Sequence, residues 1–152
     1  MPVGRAAIFA AELVMTMIFP GMDPYLEHHE LWESVHAFLI GALADLGIGA
    51  GRREGLTGVW VGARKIASLG VAVRRWVTWH GFALNVGPDL SGFVPITPCG
   101  IEGVQMTSVA REGGPGTLMD VLPCVRARFV ATFGYRSWRP LEVEPVGGES
   151  RP

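Results

Sequence analysis

Between Thr57 and Val86 the chain carries two successive runs whose side chains alternate in character with a period of two. In the first run Lys65, Ala67, Leu69, Val71 and Val73 alternate with Ile66, Ser68, Gly70, Ala72 and Arg74. In the second, Trp76, Thr78, His80, Phe82, Leu84 and Val86 share one face. No Asn-Gly or Asp-Gly separates them, so a hairpin is inferred from run length alone. A regular first strand puts Lys65 on the apolar face with Leu69, Val71 and Val73; a bulge at Gly70 would undo that phase.

Helical patterns flank these strands. Leu31, Val35, Phe38, Leu39, Ala42, Leu43 and Leu46 recur at three- and four-residue spacing, giving one apolar stripe over Leu31 to Ile48. Gly47 and Gly49 stop it. The Gly47-Ile48-Gly49-Ala50-Gly51 run is no dinucleotide fingerprint, because it follows a helix instead of linking a strand to one. Arg52-Arg53-Glu54-Gly55 reads as a loop. Further on, Val104 to Glu112 reads as a short helix and Gly113-Gly114-Pro115-Gly116 as a loop. Thr117 is an N-cap, with Asp120 three residues on, for a helix through Phe133. Its stripe is Leu118, Val121, Leu122, Val125, Phe129 and Phe133, with Pro123 near the first turn. The expected fold is α+β, with a mixed, mainly antiparallel sheet over Thr57 to Pro98. The Leu31–Leu46 and Thr117–Phe133 helices pack against it. The Pro-, Gly- and Glu-rich tail from Arg136 to Pro152 reads as disordered.

Composition narrows the function. The 152 residues allow at most one ordinary domain with a real core. At 49% hydrophobic and 18% charged it is a globular composition, and a net charge of −1 leaves no electrostatic footprint for nucleic acid. Two cysteines are too few for a disulfide framework. One of them, Cys99, lies in Pro98-Cys99-Gly100-Ile101, where flanking Pro and Gly hold a side chain at a bend. Lys65 is the only lysine against twelve arginines. An amine can lose its proton when buried and a guanidinium cannot, so the position reads as one requiring an amine. Cys124, inside the second helix without arranged basic neighbours, reads as a packing or surface thiol. His29, Glu33 and His36 share a helical face, but no further cluster completes a metal site, and they read as a solvated polar face. A Cys-His-Asn hydrolase built from Cys99, His80 and Asn85 is disfavoured, because His80 and Asn85 fall on opposite faces of one strand. His80 then bonds a neighbouring loop, and Asn85 a turn near Pro88.

The N-terminus reads differently. Ala6 to Phe19 is mostly apolar, but Glu12 interrupts it, Pro20 ends it, and no small-x-small cleavage site follows. The run is short of the roughly 18 apolar residues of a membrane span. Phe19-Pro20-Gly21-Met22-Asp23-Pro24-Tyr25-Leu26-Glu27, with Leu31-Trp32 and Val35-His36, resembles the opening of an uncharacterised bacterial domain family. The chain therefore divides into an N-terminal segment of foreign character, 1–30, a central part, 31–135, and the tail, 136–152.

Six motifs in order carry a second resemblance: Gly58-Val59-Trp60-Val61, Lys65-Ile66-Ala67-Ser68-Leu69-Gly70, Arg74-Arg75-Trp76, His80-Gly81-Phe82-Ala83-Leu84-Asn85, Asp89-Leu90-Ser91-Gly92-Phe93 and Pro98-Cys99-Gly100-Ile101. Together they resemble the lipoyl(octanoyl) transferases of the biotin/lipoate protein ligase superfamily, over roughly Val35 to Gly134. The resemblance implies a partial biotin/lipoate ligase-like fold and a two-step acyl transfer. Cys99 takes the octanoyl group from octanoyl-acyl carrier protein as a thioester, and Lys65 serves as proton donor and acceptor. A lysine of a lipoyl domain, in 2-oxoacid dehydrogenases or the glycine cleavage H protein, then accepts the group. By the same carry-over Ser68, Leu69 and Gly70 with Gly81, Phe82 and Ala83 line the acyl site. No cofactor, metal, nucleic acid or membrane is implied, and the cytoplasm is the expected compartment. The family's Arg-Gly-Gly and His-Gly-Pro-Gly motifs are missing: Gly114-Pro115-Gly116 lies after Cys99 and lacks the His. The expected protein is thus a truncated catalytic half. The alternative is a non-catalytic remnant or interaction module from a gene fusion.

Overall fold

The computed structural model describes residues 12–16, 27–74, 77–93 and 103–134, with side chains over 31–70, 81–93 and 103–134. The expected Pro98 end of the sheet and the Arg136–Pro152 tail lie outside them. The elements are β1 (Glu12–Thr16), α1 (Glu27–Asp45), β2 (Gly51–Arg53), β3 (Leu56–Val61), β4 (Arg64–Arg74), β5 (Val77–Asn85), β6 (Gln105–Met106) and α2 (Leu118–Thr132).

The hairpin forms as the alternation implies. β4 and β5 pair antiparallel without interruption from Ala67↔Leu84 to Arg74↔Val77, so no bulge occurs at Gly70. The sheet order is β1-β5-β4-β3-β2, all antiparallel, and β6 adds a parallel pairing to β4 that makes the sheet mixed. It begins earlier than expected. Arg52 to Gly55 is part of a β2–β3 hairpin, with Arg53 paired to Leu56 across Glu54-Gly55 and Gly55 at φ +71°. The apolar N-terminal run supplies β1, which pairs with β5 over Glu12↔Asn85 to Thr16↔Gly81.

Both helices follow their stripes. Leu31, Val35, Phe38, Leu39, Ala42 and Leu43 of α1 are buried. Its end is a Schellman turn: Ile48 N–H donates to Leu43 O and Gly47 N–H to Ala44 O, each at 2.9 Å, with Gly47 at φ +80°. Thr117 caps α2, its Oγ1 accepting from the Asp120 amide at 3.3 Å. Val121 and Val125 are buried, but Leu118 is exposed, one turn too early to reach the core. Phe38 joins the layers, its ring centroid 5.4 Å from Phe82 on the sheet and 5.5 Å from Phe129 on α2. Among the described residues no helix is long and apolar enough to cross a membrane.

Candidate active site

Lys65 is bracketed by a strand on each side in the sheet. Its Cα pairs with Trp60 on β3 and with Met106 on β6, and its carbonyl accepts the Thr107 N–H at 2.9 Å. The side chain is completely buried. Alternation from Leu69 does not by itself fix its face. The β3–β4 register shifts between Val59↔Ala67 and Trp60↔Lys65, leaving Ile66 unopposed between them. The route of the lysine is set by its neighbour strand. A Cβ at Gly58 would lie 2.5 Å from Lys65 Cε, 3.2 Å from Nζ and 2.5 Å from the Ala67 carbonyl. Gly58 also has φ +107°, so glycine is required there twice over. Nζ lies 5.6 Å from the centroid of the Trp60 ring, and the Arg53 guanidinium carbon lies 5.2 Å from it. Sequence alone assigns no role to Gly58 and Trp60 within their motif, although a glycine inside a strand pattern is a sign of a close approach.

The two triplets expected around an acyl group are direct cross-strand neighbours: Ser68↔Ala83, Leu69↔Phe82 and Gly70↔Gly81. The members of each pair are 11 to 15 positions apart in sequence, and the hairpin closes that gap. Leu69 and Phe82 are buried in the helix-facing core, Ser68 and Ala83 are half-buried, and Gly70 is exposed.

Cys99 lies outside the described residues. The segment that follows it is bound to the sheet beside Lys65, and here the expected Val104–Glu112 helix does not form. The N–H groups of Thr107, Val109 and Ala110 donate at 2.9 Å to the carbonyls of Lys65, Asn85 and Val86, so they are unavailable for helical bonds. Glu112 closes the segment. Its carboxylate takes two bonds of 3.0 Å from Arg64 and one of 2.6 Å from the Thr107 hydroxyl. These partners, Arg64 first, hold the carboxyl below its ordinary range. Asn85 is buried and donates to the Thr107 carbonyl at 2.9 Å, not to the turn near Pro88 as expected; Arg111 takes the Pro88 carbonyl instead. The His80 side chain is outside the described set.

The polar face of α1 is not uniformly solvated. His36 is buried, with Nδ1 2.8 Å from the Trp32 carbonyl, while Glu33 pairs with Arg52 at 2.8 Å. Burial pushes the imidazole below its usual value and Arg52 adds to this, against the backbone bonds with Trp32 and Gly58 and the charge of Glu33. Cys124 donates to the Ala42 carbonyl at 3.5 Å between the helices. Burial first, then Asp45, raises its thiol, which makes it a packing group and a poor nucleophile.

The profile of the lipoyl protein ligase A/B catalytic domain matches residues 6–130. The octanoyltransferase of Desulfovibrio desulfuricans is 51% identical over 112 residues, covering 74% of this chain and 44% of the relative. That of Syntrophotalea carbinolica is 51% identical over 105 residues, covering 68% and 48%. The chain thus spans about half the length of the curated relatives it matches. A bi-partite lipoate protein ligase from Thermoplasma acidophilum, solved in a study of an archaeal lipoylation system with its E2 lipoyl domain, shares the fold. Its TM-score is 0.63 at 18% identity, over 82% of this chain and 52% of that one. With a profile match across most of its length and the matching sheet-and-helix architecture, the chain belongs to the lipoyl protein ligase A/B catalytic domain family.

Proposed function

We propose that this chain moves an octanoyl group from octanoyl-acyl carrier protein to a lysine of a lipoyl domain through a thioester on Cys99. The observation that carries this reading is the sole lysine, wholly buried, with a glycine opposite that leaves room for its stem. Relatives named octanoyltransferase at 51% identity support it.

In the first step the Cys99 thiolate attacks the donor carbonyl. The carbon–sulfur bond to the carrier breaks, and the departing thiolate takes a proton from the Lys65 ammonium. In the second, the acceptor amine attacks the thioester, its proton passes to the Lys65 amine, and Cys99 leaves as thiolate. Both the donor and the intermediate are thioesters, so the first exchange is nearly balanced. A free cysteine titrates near 8.5, and an adjacent cation favours its thiolate. Ser68 to Gly70 and Gly81 to Ala83 would flank the acyl chain. Residues 31–135 would form the catalytic part. Acceptors would be the lipoyl domains of 2-oxoacid dehydrogenases and the glycine cleavage H protein; the structural relative's own E2 lipoyl domain supports this class. The cytoplasm is the compartment this assignment implies.

Intact-mass measurement after incubation with octanoyl-carrier protein tests the reading. The expected product is an octanoyl adduct that Cys99→Ala abolishes and that Lys65→Met slows by about 10²–10⁴-fold. A wild-type chain that gains no adduct is a non-catalytic module instead.

A further inference from the structure

The buried Trp60 has a contact that neither packing nor hydrogen bonding accounts for. It is 2% exposed and stands directly across from Lys65 in the β3–β4 register. Its Nε1 is, among the described residues, the buried side-chain polar atom without a hydrogen-bond partner. A phenylalanine would bury a similar ring with no stranded donor, and a buried unpaired N–H is unfavourable. What an indole supplies better than a phenyl ring is a negative π face for a cation. The Lys65 amine lies 5.6 Å from that ring, and the Arg53 guanidinium also lies over it.

We infer that Trp60 is a positioning residue: its π face holds the Lys65 amine where its stem crosses Gly58. Trp60 is not the amine's sole contact; it supplies an extended face over which the amine lies. The kinetic consequence rests on the acyl-transfer reading; the seat itself rests on geometry. Held this way, the amine has a defined position from which to give and take a proton, and a looser amine would slow the chemical step without changing donor binding.

Because the chain has one lysine, lysine labelled with ¹³C at Cε gives a single reporter. Wild type, Trp60→Phe and Trp60→Leu are compared as full chains. In wild type the Cε protons should be displaced upfield by the indole ring current, less so in the Phe variant, and not in the Leu variant. With octanoyl-carrier protein, the half-saturating concentration should stay constant. The maximal rate of Cys99 acylation should fall about threefold for Phe and about thirtyfold for Leu. A wild-type signal at the position of free lysine overturns the proposal, as does a folded Leu variant that acylates at the wild-type rate. If the Leu variant does not fold, a Phe variant with both signal and rate unchanged overturns it. A wild-type chain that shows the upfield signal but gains no adduct refutes the acyl-transfer reading and leaves the seat standing.

Discussion

Gly58 meets two demands at one position: a backbone angle that other residues adopt only under strain, and the passage of Lys65 across its face. Left-handed strain in a non-glycine residue costs roughly 1–3 kcal/mol, and forcing a methyl into a filled site costs a similar amount. Gly58→Ala should therefore lose about 2–4 kcal/mol of stability in urea unfolding. Combining it with Lys65→Ala should recover part of that loss, because one of the two close contacts is with Lys65 Cε. Strict additivity would show that the lysine stem does not cross there. At this scale the sequence exposed Lys65 through its rarity but was silent on what receives it. The ring and the glycine come from the neighbouring strand, at a register shift no local pattern reveals.

Among the elements, β6 and the turn after it depend on one carboxylate. Glu112 ties Arg64 on β4 to Thr107, and these bonds fix the segment against the two residues that begin β4. The Glu112 carboxyl is depressed in the folded state, so its stabilisation is complete above its ordinary value, 4.5, and is lost as pH falls through the folded value. Glu112→Gln should lower the melting temperature at neutral pH, and the gap to wild type should close in strong acid. A gap of constant size across that range would mean the carboxylate charge is irrelevant. The two helices and the hairpin were legible because caps and alternation are local signals. The expected helix before Gly113 failed because its amides found carbonyls on β4 and at and just beyond the end of β5, partners remote in sequence.

For the whole molecule, the chain spans 44% of the Desulfovibrio relative, and its described residues hold a sheet and two helices. Apolar burial contributes about 0.8 kcal/mol per methylene, so an eight-carbon acyl chain needs walls along its length. If the chain is the truncated acyltransferase proposed above, it should by itself react slowly and prefer C8 thioesters only weakly over C4. On the reading that the chain is a truncated catalytic half, adding the N-terminal part of an octanoyltransferase in trans should raise both rate and chain-length preference. Steady-state rates with C4 and C8 thioesters measure this. Fast, C8-selective transfer by the isolated chain would show that the matched portion holds a complete acyl site.

The sequence by itself determined the α1 and α2 stripes, their stop and start signals, the β4–β5 hairpin and, through ordered motifs, the family. Each is written in residues a few positions apart, where periodicity and capping chemistry act. Only the tertiary structure decided that the apolar N-terminal run becomes β1, that His36 is buried, and that β6 pairs with β4. It also decided that Lys65 lies across Gly58 against Trp60. Those outcomes join residues from different strands and helices. Their free energies come from burial and hydrogen bonds formed only once the chain has closed, which local preference cannot encode.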